Sequence, residues 1–323
     1  MSKPADKYPS RAGRAACLQP RVDPVVYTPD STELLKHLSR EQITQYERDG
    51  FLILPNVFTR EEVQYFKREL EHLRKDECFQ GSKEVISEPE SGDIRSIFRI
   101  HNISSIFERL ASDARLTEIA RGLLGDDIYI HQSRLNYKPG FRGKDFYWHS
   151  DFETWHVEDG MPAMRALSMS ITLTENTPHN GPLMLMPQSH KTYAVCTGTT
   201  PENHFKASLK KQEYGVPDDE LLTQLAERGG VVSALAKPGS VVIFDCNTMH
   251  GSNSNITPAP RSNVFIVYNA ISNRVVQPYC DQPPRPEYIG ARQHITPVQP
   301  THSDVQDYRK AFMASAGSTT SQA

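Results

Sequence analysis

The sequence is poor in the residues and patterns that would assign it to several large functional classes. It has five cysteines, Cys17, Cys78, Cys196, Cys246 and Cys280, an odd number, far apart and never in a C-x-x-C pair. That excludes a zinc ribbon or a dithiol redox motif and makes a disulfide framework improbable. The simplest expectation is a reduced, cytoplasmic protein. No apolar run approaches the roughly 18 residues of a membrane span, so no membrane association is expected. The first twenty residues are basic and polar without an apolar stretch, so no secretory leader is expected either. Charge of one sign is also missing: 36 Lys plus Arg stand against 39 Asp plus Glu, a net of −3. A nucleic-acid binder would show a basic excess, so nucleic acid is not expected as a partner. There is no internal repeat.

The chain is instead rich in histidine (12) and proline (23), and its periodicity changes along its length. Residues 1–35 lack periodicity and read as a mobile arm. Ser39-Arg40-Glu41-Gln42 spells a capping box for a helix to Asp49, with Gly50 as its stop. Phe51–Leu54 then reads as a strand. Thr59-Arg60-Glu61-Glu62 opens a second helix whose Val63, Phe66, Leu70 and Leu73 share one face. A third helix starts at Asp113 and ends at Gly125. From Asp127 the period is two. Gln132, Arg134 and Asn136 share one strand face; Ser168, Ser170 and Thr172 oppose Leu167, Met169 and Ile171; Arg261, Asn263 and Phe265 oppose Val264 and Ile266. Further short strands fall near 183–186 and 241–245. A charged, periodic stretch at 218–227 marks a helical insertion, 277–299 is Pro-rich, and 311–323 reads as a disordered tail. A helical first third followed by many short strands predicts an α+β fold, a double-stranded β-helix (jelly roll, cupin-like) with surrounding helices, in one domain over 36–310. Three polar strand faces in one chain favour a wet cavity over solvent-facing sheet.

Within that strand region His149-Ser150-Asp151 forms H-x-D. In an extended strand residues i and i+2 point the same way, so imidazole and carboxylate converge. His250, after an apolar strand and before a turn, is the best third ligand. Two His and one carboxylate on one face of an octahedron are the arrangement of non-heme Fe(II) oxygenases. Arg261 follows His250 by 11 residues and can hold a dicarboxylate through its guanidinium fork. This order of residues is that of 2-oxoglutarate-dependent oxygenases, with Fe(II) as metal and 2-oxoglutarate and O2 as cosubstrates. His302-Ser303-Asp304 is spelled the same way but lies beyond the strands with no later His; it is assigned to the surface. A closed structural zinc site would favour Cys and His.

Residues 39–58, SREQITQYERDGFLILPNVF, resemble the start of the phytanoyl-CoA dioxygenase superfamily. The 31 residues 132–162, QSRLNYKPGFRGKDFYWHSDFETWHVEDGMP, resemble the signature segment of the ectoine hydroxylases within it. Phe98–Asn102, Pro187–His190 and Asn247–Ser254 agree, and the resemblance spans roughly 35–305. It implies a jelly-roll dioxygenase that holds Fe(II) with His149, Asp151 and His250. It implies 2-oxoglutarate bound by Arg261, with Asn136, Phe146 and Ser252 near it. It implies ectoine, a small cyclic zwitterion, contacted by Gln132, Trp155, Phe265 and Arg285, and it suggests a homodimer. Thr154 and Ser170 are further pocket candidates. Trp155 offers a π face for the amidinium cation, Arg285 a fork for the carboxylate. The intact Asp151 disfavours halogenation, which would need a small residue there. Two other readings stay open: a hydroxylase of another small amino acid such as proline, and a non-catalytic jelly-roll binding protein.

Overall fold

Both capping boxes form as spelled. In the computed structural model, which describes residues 4–76, 79, 81–87, 92–208 and 214–318, α1 (Arg40–Asp49) is closed by Ser39 and Gln42, each accepting the other's backbone N–H. Gly50 ends it at φ +84°, where a Cβ would lie 2.4 Å from His190 Nδ1, so the turn needs glycine for both conformation and space. Thr59 and Glu62 cap α2 (Arg60–Lys75) in the same way. Two short helices follow, α3 (Ile100–Ile103) and α4 (Ser105–Ala111). Asp113 caps α5 (Ala114–Leu124), which Gly125 terminates in the left-handed region.

The strands are β1 (Cys17–Pro20), β2 (Phe51–Leu54), β3 (Val85–Ser87), β4 (Ile94–Phe98), β5 (Ile128–Lys138), β6 (Phe146–His149), β7 (Ala166–Thr172), β8 (Leu183–Leu185), β9 (Thr192–Val195), β10 (Val232–Ser233), β11 (Val241–Asp245), β12 (His250–Ser252) and β13 (Arg261–Ala270). Seven form an antiparallel sheet in the order β2-β11-β7-β13-β5-β4-β3, and four form a second in the order β10-β8-β12-β6. The alternation read in the sequence decides the layers. Val264 lies opposite Ile171 and Leu135, Ile266 opposite Met169, and this face buries against Phe66, Phe107 and Leu123 of the helices. The other face carries Ser168, Ser170, Asn263 and Phe265 toward the smaller sheet, where Phe244, Phe265, Leu183 and Leu185 form a separate inter-sheet cluster. The two sheets thus make the expected jelly roll, with a helical layer on one side. Losing a branched side chain such as Ile171 or Ile266 from the helix-facing core costs about 2–5 kcal/mol.

Between the sheets' elements run α6 (Asp151–Thr154), continued by a π-helical turn at Trp155–Asp159, then α7 (Phe205–Ser208) and α8 (Asp219–Gly229), the helical insertion. No helix among the described residues is long and apolar enough to cross a membrane. The cysteines described, 17, 196, 246 and 280, are free thiols, and Cys78 lies outside the described residues.

Two expectations about the ends need correction. The arm before residue 35 is not loose. β1 pairs with β9, Tyr8 is fully buried, and the Arg11 guanidinium sits at 2.7 Å from both Glu153 and Glu158. A buried guanidinium between two buried carboxylates holds the segment in place beside the β1–β9 pairing, because breaking the pair would leave buried charge uncompensated. The tail carries α9 (Val305–Ser318), whose Tyr308 stacks edge-on against Phe66 and donates to Asp113 at 2.7 Å. Residue 310 is therefore mid-helix; 319–323 lie outside the described residues. Both ends are held by partners distant in sequence, which local periodicity cannot reveal.

Candidate active site

β6 and β12 are neighbours, and their register places His149 directly opposite His250 with ring centroids 4.2 Å apart. Asp151 completes the group: its Oδ1 is 3.7 Å from His149 Nε2 and 3.8 Å from His250 Nε2, and one ligand atom from each residue lies within 4.8 Å of the others. The H-x-D geometry differs from a plain strand. Ser150 is extended, but Asp151 is already the first residue of α6, so the carboxylate reaches the histidines from a strand-to-helix junction. Both imidazoles donate Nδ1–H to a backbone carbonyl, His149 to Tyr147 at 2.8 Å and His250 to Thr248 at 2.9 Å. That selects the tautomer whose Nε2 lone pair faces the shared point. Ser168 Oγ donates to Asp151 Oδ2 at 3.1 Å and leaves Oδ1 for the same point. Burial alone would raise the Asp151 carboxyl, but His250, His149 and Arg134 outweigh it and hold it well below the usual carboxylate range. Burial, and then the neighbouring His149, push His250 down to about 4, so it stays neutral and able to ligate. Two nitrogens and one oxygen converging on one point fit an octahedral ion such as Fe(II).

Asn136, Phe146, Ser252, Arg261 and Phe265 line one cavity together with His149 and His250. Arg261 is 3% exposed, and its Nε and Nη1 have no hydrogen-bond partner among the described residues. Burial pushes it down to about 10, and no carboxylate offsets that. Thr172 Oγ1 and Asn263 Oδ1, on the same inward face, also lack partners. A buried guanidinium without an anion is costly, so this end of the cavity is built for a carboxylate that the protein does not provide. Lys138, across the strand pair from Arg261, donates to Ser252 Oγ at 2.8 Å. Asn136 accepts from Ser96 at 2.9 Å.

The remaining candidates lie apart from that lining. Ser170 is fully buried and accepts from Asn263 Nδ2 at 2.8 Å. Thr154 Oγ1 is buried with no hydrogen-bond partner among the described residues. Gln132, Trp155 and Arg285 gather in a second cluster. Gln132 Nε2 donates to the Ile289 carbonyl at 2.8 Å, Trp155 packs edge-on against His131 at 5.4 Å, and Arg285 forks onto Asp159. His302, the other H-x-D histidine, is exposed, and its Asp304 merely accepts from the backbone at the start of α9.

Several contributors escaped sequence reasoning. Ser168 belongs to a polar strand face that was legible, but its aim at Asp151 depends on how α6 crosses β7. Arg95 and Arg134 line the cavity, Arg95 5.3 Å from the Phe146 ring and Arg134 5.1 Å from the Phe265 ring. Arg134 shares the face of Gln132 and Asn136, which was the available signal. Asp159 carried none.

Comparison with known proteins agrees with this geometry. The family model described as phytanoyl-CoA dioxygenase (PhyH) matches residues 46–263. A protein of Stutzerimonas stutzeri named ectoine dioxygenase is 55% identical over 294 residues, covering 91% of this chain and 97% of its own. Another so named, from Bordetella bronchiseptica, is 54% identical over 304 residues, covering 94% of this chain and 98% of its own. A crystal structure of EctD from S. alaskensis with 2-oxoglutarate and 5-hydroxyectoine is similar at a TM-score of 0.85 and 48% identity, over 93% of this chain and 100% of that one. The jelly roll, the His-Asp-His group and these relatives together place the chain in the phytanoyl-CoA dioxygenase family, among the ectoine dioxygenases.

Proposed function

We propose that this protein is an Fe(II)- and 2-oxoglutarate-dependent dioxygenase that hydroxylates ectoine at carbon 5. Ectoine, 2-oxoglutarate and O2 give 5-hydroxyectoine, succinate and CO2. The observation that carries the reading is the Arg261 guanidinium, buried and without an anion among the described residues, in the same cavity as His149 and His250 of the His149–Asp151–His250 group. Bound at that group, Fe(II) supplies the dioxygen chemistry coupled to decarboxylation of the 2-oxo acid. The chain's own residues do the positioning. Arg261 pairs with the dicarboxylate's distal end, with Asn136 and Ser252 beside it. Phe146 and Phe244, each 4.9 Å from a ligand imidazole, keep the centre dry. Trp155 offers its π face to the amidinium, Gln132 hydrogen-bonds the ring, Phe265 packs on it, and Arg285 pairs with its carboxylate. Thr154 and Ser170 complete the wall.

The solved relative with 2-oxoglutarate and 5-hydroxyectoine supports the same ligands here. The reading carries with it a cytoplasmic location, a part in compatible-solute synthesis during stress, and a homodimer, which light scattering tests. For the reaction, the purified protein is reconstituted with Fe(II) under nitrogen, then given ectoine, 2-oxoglutarate and air. The expected result is an ectoine product heavier by one oxygen with one succinate per product. Succinate formed with proline and not with ectoine would move the substrate; none with any substrate would leave a binding protein.

A further inference from the structure

We propose that Asp159 is the positioning residue that presents Arg285 to the substrate carboxylate, and so sets the enzyme's selectivity for a zwitterion over a bare cation. The inference rests on the ectoine reading above and deepens it.

Asp159 ends the π-helical turn that begins with Trp155, and it is 3% exposed. Its Oδ1 accepts from Arg285 Nε at 2.8 Å and its Oδ2 from Nη2 at 2.5 Å, a two-point fork that fixes the plane of the guanidinium. His131 Nε2 lies 3.1 Å from the same Oδ2, and the Asp159 carbonyl accepts from Arg292. One residue therefore ties β5 and the Pro-rich segment to the turn that bears Trp155. The chain has closed around this knot. A Cβ at Gly290 would lie 3.0 Å from Asp159 Oδ2 and 3.1 Å from His131 Cε1, so a larger residue would press on the fork.

The fork engages Nε and Nη2. Nη1 makes no hydrogen bond among the described residues, although the Arg285 side chain is only 7% exposed. Of the carboxylates whose charge acts on Arg285, Asp159 is the strongest, followed by Glu158 and then Asp151 of the metal group. A guanidinium held on one edge and free at the other is preorganised to receive a second carboxylate. Asp159 meanwhile neutralises the buried cation, so Arg285 can stay indoors when no substrate is present. Without Asp159 the guanidinium would lose both its partner and its direction. The cationic ring of the substrate would be unaffected, because Trp155 and Gln132 do not depend on that charge.

The test is Asp159→Asn, which keeps the shape of the side chain and removes its charge. Calorimetric titration under nitrogen, on enzyme loaded with Fe(II) and 2-oxoglutarate, measures the Kd of ectoine and of the same methylated tetrahydropyrimidine ring without its carboxylate. Ectoine should bind about 10-fold more weakly, the loss of one aimed charge-assisted hydrogen bond, while the ring analogue shifts less than about twofold and the KM for 2-oxoglutarate stays put. Asp159→Glu, which keeps the charge but moves the fork by one methylene, should show the same signature at smaller size and serves if the first variant does not fold. Equal weakening of both ligands, or no weakening of either, overturns the role of Asp159. Wild-type enzyme that neither binds nor hydroxylates ectoine overturns the functional reading instead.

Discussion

The two halves of the site are built by different means. The metal half hangs on strands: His149 and His250 face each other across one β pairing, and Arg261, Asn136 and Phe265 follow from the register of β13 with β5. The other half hangs on segments outside the two main sheets: the π-helical turn, the Pro-rich run and the N-terminal strap, whose β1 pairs with β9. There, buried ion pairs do the work that a hydrogen-bonded ladder does elsewhere, with Arg11 on Glu153 and Glu158, and Arg285 on Asp159. The lesson is that the chemistry sits on the rigid scaffold, while recognition sits on chain that long-range charge pairs hold in place.

The largest effect should come from the metal half. His149→Ala or Asp151→Ala should abolish iron retention, measured by metal analysis after gel filtration, and with it turnover. Full activity in either would refute the triad. Next is the strap. Arg11→Met leaves Glu153 and Glu158 buried without a cation, and should cost about 3–5 kcal/mol of stability by denaturant unfolding. Its loss should fall on ectoine binding more than on iron affinity, because the two glutamates flank Trp155; an equal loss of both would erase the contrast between the halves. Arg261→Ala should raise the KM for 2-oxoglutarate about 10- to 100-fold, the worth of a fork on a charged group. An unchanged KM would move that anchor elsewhere. Trp155→Ala should weaken ectoine binding about 10-fold with iron spared; unaltered ectoine kinetics would leave Trp155 with packing alone.

The smallest effect concerns pH and the scaffold. Burial pushes His190 down to about 4, and its backbone carbonyl accepts from Asn247, in the turn leading to His250. The unfolded chain binds this proton at ordinary imidazole pH and the folded chain resists it. Stability is thus fully present above the usual imidazole range and is lost as pH falls toward 4. The share of His190 in the loss between pH 6.5 and 5.5 should be about 1 kcal/mol, beside those of His101 and His250, which burial also pushes down to about 4. His190→Gln, which cannot charge, should remove that share and make the fall of Tm shallower if it folds.

Legibility in the sequence follows the range of the interaction. Ser39–Gln42 and Thr59–Glu62 are closed within four residues, and both capping boxes formed. The alternation of 167–172 assigned its two faces correctly because side-chain direction in a strand is a local property. The decoy at His302 was separable from His149 by context alone. The strap was read as mobile because Ser10 and Arg11 bond to Glu153 and Tyr8 packs on the rings of Phe152 and Tyr193, all more than a hundred residues away, and no periodicity announces them. Asp159 was silent for the same reason: an acidic residue beside a glycine reads as a turn until Arg285 is seen on it.

The low cysteine count, the balanced charge, the boundaries of α1, α2 and α5, the strand faces and the candidate ligands were all determined by the sequence alone, because each depends on residue type and near neighbours. The tertiary structure decided what register and closure control. It set the facing of His149 and His250, the aim of Ser168 at Asp151, the burial of Arg261 without an anion among the described residues, and the buried ion pairs that bind both ends of the recognition half to the barrel.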